Sequence, residues 1–217
     1  MKTYDTYLFD ADGTLFDTID LICTCFQYIA GKYAGKTLAR DKIIGGIGLP
    51  LADQIAHHLG GSADHTVIAN DYRDFQMTIL GTSITLFPDV AETLQALKDA
   101  GKQLGIVTSR KRPSLDMMLE TTGTAKYFDV LITPEDTGRH KPHAEPVLKA
   151  MALLGAEKAR TVFTGDARFD IESGAAAGID TVFVSWSHSP LHSLPTPPTW
   201  SIDSLRELTA TKTEKLT

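Results

Sequence analysis

The sequence predicts an α/β fold, a Rossmann-like parallel sheet covered by helices, with a helical domain inserted after the first strand. From about residue 83 onward, short apolar stretches of strand length alternate with stretches of helical pattern, as is typical of βαβ units. Between residues 16 and 82 the pattern is helical throughout. We therefore expect two domains, an α/β core of residues 1–15 and 83–217 and a helical cap of residues 16–82.

The core should contain five strands and four helices. The strands are expected at residues 5–10, 103–109, 128–133, 161–164 and 181–185, and the helices at 88–100, 113–120, 144–154 and 170–177. Gly101, Gly155 and Gly178 follow three of these helices in C-cap positions. The segment 189–198 contains four prolines and is expected to be an irregular loop.

The cap should contain three helices, at about residues 18–33, 50–59 and 62–80. A glycine-rich stretch, residues 44–49, precedes the second of them. The all-helical pattern interrupts the strand–helix alternation after a single strand. We therefore interpret it as an insertion into the α/β domain.

Length and composition indicate a soluble globular protein. The 217 residues suffice for a well-buried core with a small insert, and 42% hydrophobic with 22% charged residues is ordinary for this class. The net charge of −6 argues against a nucleic acid or an anionic membrane as partner, because both favour basic surfaces. We find neither a signal peptide nor an apolar run of transmembrane length, and expect a cytoplasmic monomer or homodimer.

The first strand ends in two carboxylates. Asp10 and Asp12 are one residue apart, and Gly13 and Thr14 follow directly. Because side chains alternate along a strand, positions 10 and 12 start on the same side of the sheet. Two carboxylates this close repel each other unless a cation lies between them or one is protonated. Divalent-metal binding or acid–base chemistry explains the arrangement, whereas core packing does not.

Further polar residues follow the later strands of the core. Ligands of open parallel sheets bind at the carboxyl ends of the strands, so these residues should meet the first aspartates. They are Thr108, Ser109 and Arg110 at the end of the second strand, Lys141 in the loop after the third, and Asp166 and Asp170 at and beyond the end of the fourth. Carboxylate oxygens favour Mg²⁺, and a lysine suits a phosphate oxygen. The set is therefore suited to phosphoryl transfer.

The sequence resembles phosphatases of the haloacid dehalogenase superfamily in four motifs that occur in the family's order. They are Phe9-Asp10-Ala11-Asp12-Gly13-Thr14, Ile106-Val107-Thr108-Ser109, Lys141-Pro142 and Gly165-Asp166-Ala167-Arg168-Phe169-Asp170. The helical insert resembles the cap of the phosphoglycolate phosphatase-like branch, which also includes pyrophosphatases, sugar-phosphate phosphatases and β-phosphoglucomutases. The resemblance implies a Mg²⁺-dependent hydrolase of a small phosphorylated metabolite.

The resemblance also implies the chemical roles of the aspartates. Asp10 is expected to attack phosphorus and form an aspartyl-phosphate, and Asp12 to protonate the leaving oxygen and then activate water. Mg²⁺ is expected on Asp10, on the backbone carbonyl of Asp12 and on Asp166. Dehalogenases of the superfamily lack an aspartate at position 12 and phosphonatases carry alanine there. The aspartate therefore favours cleavage of a phosphate ester or anhydride.

The remaining motif residues are expected to bind the phosphoryl group. Thr108 and Ser109 would contact its oxygens, and Lys141 would neutralise both its charge and that of Asp10. Asp170 would orient Lys141 or a metal-bound water from behind. These roles, too, are implied by the resemblance.

Residues that select the leaving group are less clearly marked. Gly46, in the stretch 44–49, would let backbone approach a substrate closely, although a plain helix–helix turn fits equally well. Arg40 is a candidate for a substrate carboxylate or second phosphate, with a surface cation as the favoured reading. Arg110 and Lys111 are candidates of the same kind.

Two alternative functions remain open. A phosphomutase of the β-phosphoglucomutase type would share the motifs, with a cap that shields the intermediate from water. A non-catalytic binding protein on the same scaffold is disfavoured because every catalytic position is filled. Phosphoglycolate, pyrophosphate, sugar phosphates and nucleotides all remain candidate substrates, because the motifs bind only the phosphoryl group that they share.

Overall fold

The computed structural model describes residues 2–47, 49–60, 64–186 and 191–209. The chain divides into two compact units, one of Met1–Phe16 with Leu86–Thr217 and one of Asp17–Thr85. The first unit contains a parallel sheet with flanking helices, and the second is helical. The predicted fold class is confirmed. No helix of the described segments is long and apolar enough to cross a membrane.

The sheet of the α/β unit has six strands in the order β5-β4-β1-β6-β7-β8, all paired in parallel. The strands along the chain are β1 (Thr6–Phe9), β2 (Phe16–Asp17), β3 (Thr85–Leu86), β4 (Gln103–Val107), β5 (Val130–Ile132), β6 (Thr161–Gly165), β7 (Asp180–Val184) and β8 (Trp200–Ile202). β2 and β3 form a separate sheet of two strands. β1 lies between β4 and β6, with Phe9 opposite Ile106 and Thr164. The residue after β1 is therefore flanked by two other strand ends.

The four helices of this unit cover the sheet. They are α5 (Val90–Asp99), α6 (Arg112–Thr121), α7 (Glu145–Leu154) and α8 (Arg168–Ala177). All four residues of β1 are buried, as expected for a strand covered on both faces. Leu8, Val107, Val147 and Phe163 share one fully buried cluster. Each such side chain contributes roughly 1.5–3 kcal/mol by leaving water, so this packing fixes the strand ends that carry the polar residues.

The helical unit contains α1 (Ile19–Ala34), α2 (Arg40–Ile44), α3 (Leu51–Leu59) and α4 (His65–Ser83). The ring of Phe26 lies 5.2 Å from the rings of both His58 and Tyr72, which joins α1 to α3 and α4. α2 is not predicted by the sequence, because five residues are too few to show a helical period. The predicted start of the last helix, at 62, lies in residues 61–63, outside the described part of the chain. The Asp64 side chain caps α4 by accepting from the backbone N–H groups of Thr66 and Val67.

β7 confirms the strand predicted at 181–185, but the prediction that it is the last strand is wrong. β8 follows the proline-containing segment and pairs in parallel with β7, with Ile202 opposite Val184. The indole N–H of Trp200 donates to the Tyr4 hydroxyl at 2.9 Å, and Ile202 is buried. These tertiary contacts stabilise a strand of three residues that is too short to give a recognisable pattern.

Candidate active site

β1 delivers Asp10 to the carboxyl edge of the sheet. The backbone N–H of Asp10 donates to the carbonyl of Thr164 at 2.9 Å, so Asp10 extends the pairing of β1 with β6. The chain then turns back, and the N–H groups of Leu15 and Phe16 both donate to the Ala11 carbonyl at 3.0 Å. This closed turn fixes the backbone that carries Asp12.

Lys141 binds two carboxylates at this edge. Its Nζ donates to Asp10 Oδ1 at 2.7 Å, to Asp170 Oδ1 at 2.6 Å and to the Val107 carbonyl at 3.2 Å. The side chains of Lys141, Asp10 and Asp170 are only 5%, 9% and 2% exposed. Charges buried this deeply persist only when they are paired, so the three residues form one unit.

Two glycines leave the space in which Asp166 and Asp170 approach their neighbours at the sheet edge. The Asp170 carboxylate accepts from the backbone N–H of Ala167 at 3.0 Å, which caps the first turn of α8. A Cβ at Gly165 would lie 2.2 Å from the Asp170 Cβ, and one at Gly13 would lie 2.3 Å from Asp166 Oδ2. Neither position has room for a side chain. The glycines of the first and fourth motifs therefore allow the carboxylates to converge.

The converging carboxylates could hold a metal ion. Asp10, Asp166 and Asp170 each offer one oxygen, and these oxygens lie within 4.8 Å of one another. Burial raises the pKa of Asp10 to about 7, and the neighbouring Asp170 adds to the effect although Lys141 opposes it. Burial, followed by the charges of Asp170 and Asp10, also raises the pKa of Asp166 well above its ordinary value. The raised pKa values indicate that Lys141 does not fully offset the negative charge of these carboxylates, and their oxygen donors fit a hard divalent cation such as Mg²⁺.

Thr108 lies at the end of β4, next to β1. Its N–H donates to the Ile132 carbonyl at 3.0 Å, and its buried hydroxyl accepts from the Arg110 N–H at 3.1 Å. Ser109, the other predicted phosphate contact of this motif, is exposed. The structure thus brings Thr108 to the sheet edge that carries Asp10.

Asp12 is paired with Arg110. The guanidinium donates from Nε to Asp12 Oδ2 at 2.7 Å and from a terminal nitrogen to Oδ1 at 2.5 Å. The Arg110 side chain is 8% exposed and that of Asp12 27%. Sequence reasoning identified both residues but missed their contact. If the first two core strands are taken as neighbours in the sheet, residues just past their ends lie side by side. That adjacency could have indicated the contact between Asp12 and Arg110.

The predicted cap candidates lie in the helical unit. Gly46 is buried after α2, and a Cβ there would lie 3.3 Å from His58 Nε2 and 3.4 Å from Gln54 Oε1. Arg40 is exposed and pairs with Asp20 at 2.5 Å. A substrate contact by Gly46 stays a prediction, and Arg40 has a partner within its own unit.

Comparison with known proteins identifies the family. A family model described as haloacid dehalogenase-like hydrolase matches residues 7–184, which include all four motifs. The chain belongs to the haloacid dehalogenase-like hydrolases. The resemblance inferred from the four motifs is thereby confirmed, and with it the prediction of a phosphatase.

This hydrolase has relatives of similar length. Pyrophosphatase PpaX from Bacillus pumilus is 37% identical over 186 residues, which cover 86% of this chain and 85% of the relative. Pyrophosphatase PpaX from Oceanobacillus iheyensis is 37% identical over 182 residues, which cover 84% of each chain.

Solved structures show the same fold. A haloacid dehalogenase-like hydrolase from Bacteroides fragilis superposes with a TM-score of 0.87 at 29% identity, over 95% of this chain and 100% of that one. A predicted phosphoglycolate phosphatase from Haemophilus somnus gives a TM-score of 0.87 at 20% identity, over 96% of this chain and 98% of that one. At that identity the second likeness concerns the fold alone.

Proposed function

We propose that this hydrolase is a Mg²⁺-dependent phosphatase that cleaves a small phosphorylated metabolite, inorganic pyrophosphate first among them, through an aspartyl-phosphate on Asp10. The observation that carries the proposal is the buried unit of Asp10, Lys141 and Asp170. Burying such charges adds little net stability, because desolvation costs roughly what pairing returns. Their accumulation at the ligand-binding edge of a parallel sheet is characteristic of a catalytic site.

In the first step Asp10 attacks phosphorus. Lys141 binds Oδ1, and we assign Oδ2 as the attacking atom. A bond forms between Oδ2 and phosphorus while the bond to the leaving oxygen breaks, and its electron pair goes to that oxygen. Asp12 supplies the proton that the leaving oxygen takes up. Lys141 neutralises charge on the phosphoryl group, and the Thr108 hydroxyl and Ser109 contact its oxygens.

In the second step water cleaves the aspartyl-phosphate. Asp12, now a carboxylate, takes a proton from the water as its oxygen attacks phosphorus. The bond between phosphorus and Asp10 breaks, phosphate is released, and Asp10 is restored. For pyrophosphate the sum is one water consumed and two phosphates formed.

Three oxygen ligands are proposed to hold Mg²⁺. Held by Asp10, the Asp12 backbone carbonyl and Asp166, Mg²⁺ would screen the nucleophile from the phosphate and stabilise the developing charge. Asp170 contributes to the same oxygen cluster, but its hydrogen bond to Lys141 favours an orienting role. The ligand set predicted from the sequence is therefore kept.

The choice of pyrophosphate rests on the relatives. Two proteins named pyrophosphatase are 37% identical to this chain over most of their length. The helical unit, predicted as a cap of residues 16–82 that includes Gly46, is proposed to select the leaving group. No observation favours a mutase over a phosphatase.

Phosphate release from a panel of phosphorylated metabolites tests the proposal. With Mg²⁺ we expect release from pyrophosphate, and none in the presence of a chelator. Full activity in chelator would contradict the metal site, and a metal-loaded protein inert toward the whole panel would overturn the proposal. Conversion of β-glucose 1-phosphate without phosphate release would identify a mutase instead.

A further inference from the structure

We propose that Arg110 recognises substrates whose leaving group carries a negative charge of its own, as the second phosphate of pyrophosphate does. The inference rests on the proposed function and deepens it. It starts from the two hydrogen bonds that join the Arg110 guanidinium to both oxygens of Asp12. The guanidinium holds Asp12 by the two-point geometry that arginine also uses for other carboxylates and for phosphates.

The main chain holds Arg110 beside the phosphoryl site. Its N–H donates to the hydroxyl of Thr108, and the N–H of Thr108 donates to the Ile132 carbonyl of β5. β4 in turn lies next to β1, with Ile106 opposite Phe9. The guanidinium, only 8% exposed, is therefore anchored to the same sheet edge as Asp10.

The contact with Asp12 determines what Arg110 meets during the reaction. To receive a proton from Asp12, the leaving oxygen must come within hydrogen-bond distance of its carboxyl group. Whatever is attached to that oxygen then lies near the guanidinium bound to the same carboxyl group. A phosphate or carboxylate there gains charge-assisted hydrogen bonds, whereas an uncharged group gains none.

The distribution of charge at the sheet edge favours the same role. Lys141 is bound to Asp10, the proposed nucleophile, and to Asp170. Arg110 is bound to Asp12, the residue proposed to protonate the leaving group. A diphosphate carries charge at both of its ends, so each end would meet a buried cation.

The test compares substrates that differ in the charge of the leaving group. Pyrophosphate and phosphoglycolate carry a phosphate and a carboxylate, and p-nitrophenyl phosphate carries neither on its leaving group. Arg110→Gln should lower kcat/KM for pyrophosphate on the order of 10- to 100-fold more than for p-nitrophenyl phosphate, mainly by raising KM. Arg110→Lys should show a selective loss in kcat/KM for pyrophosphate that is smaller than that of Arg110→Gln. Arg112→Gln, which removes the same charge from an exposed i,i+4 pair with Asp116, should match the wild type.

A binding measurement accompanies the kinetics. Methylenediphosphonate, an analogue of pyrophosphate in which a methylene group replaces the bridging oxygen so that it cannot be hydrolysed, should bind Arg110→Gln more weakly by a similar factor in calorimetry. Should Arg110→Gln fail to fold, Arg110→Lys supplies both comparisons, because it keeps a positive charge beside Asp12.

Each outcome decides between the proposals. Equal losses on all three substrates with unchanged methylenediphosphonate binding would mean that Arg110 only positions Asp12, and would overturn the inference. A fall in kcat/KM for phosphoglycolate alone would support the inference and identify a carboxylate as the anion that Arg110 recognises. A loss confined to p-nitrophenyl phosphate would overturn the inference and leave the phosphatase assignment standing. A wild type inert on all three would contradict the proposed function itself.

Discussion

Lys141 and Asp10 form an ion pair of 2.7 Å in which both side chains are more than nine-tenths buried. Burial alone would lower the pKa of Lys141, but Asp10 and Asp170 outweigh it and raise the pKa above its ordinary value. The lysine is therefore held as a cation within reach of the proposed nucleophile.

Removing the lysine should destabilise the fold as well as stop the reaction. Lys141→Met leaves Asp10 and Asp170 buried without their cation, and the free energy of unfolding should fall by about 3–5 kcal/mol. Lys98→Met, which removes a more exposed partner of Asp129, should cost no more than about 1 kcal/mol. Urea unfolding of both variants gives the comparison. An equal fall in the free energy of unfolding of both variants would mean that the buried pair stabilises the fold no more than the exposed one.

A methyl group at position 13 should disturb the carboxylate cluster. Gly13 has φ +75°, and a Cβ would lie 2.3 Å from Asp166 Oδ2. Gly13→Ala should therefore weaken Mg²⁺ binding and activity in addition to the cost of the backbone strain, roughly 1–2 kcal/mol. Gly101 has a similar φ of +71° with nothing within 4 Å of a Cβ. Gly101→Ala should show the strain alone, and Mg²⁺ titration separates the two variants.

Mg²⁺ should stabilise the protein more at pH 8 than at pH 5. The pKa of Asp10 in the metal-free fold, raised to about 7 from 3.8, means that the folded state binds a proton that the unfolded state has lost. The stability of the metal-free protein should therefore fall as pH rises from about 4 to about 7. Mg²⁺ binds the ionised carboxylates, so its effect on Tm should grow over the same range. Calorimetry with and without Mg²⁺ measures this, and a pH-independent shift would argue against the cluster as the binding site.

The matched control for this pH effect is Asp10→Asn. An amide at position 10 cannot titrate, so the fall in stability of the metal-free protein should become shallower. Burial also raises the pKa of Asp166, so part of the pH dependence of stability should remain in this variant. If the stability of Asp10→Asn depends on pH as that of the wild type does, Asp10 is not the group that causes the dependence.

The sequence predicts most of the α/β core because its strands and helices are long enough to show a period. β8 and α2 are missed because three and five residues show none, and both are stabilised by their surroundings. Asp10, Lys141, Asp166 and Asp170 converge because parallel strands end at one edge, which sequence alone can predict. Strand adjacency indicates that Asp12 and Arg110 lie near each other, but their hydrogen bonds depend on side-chain geometry past two strand ends, which the motifs do not encode.

The nucleophilic role of Asp10 is tested by the rate of phosphate release by Asp10→Asn with Mg²⁺ and the best substrate of the panel. The amide keeps the size of the side chain but is a far weaker nucleophile. We expect the rate to fall at least about a thousandfold while the variant unfolds cooperatively like the wild type. A rate within about tenfold of the wild type would contradict the assignment of Asp10 as the nucleophile.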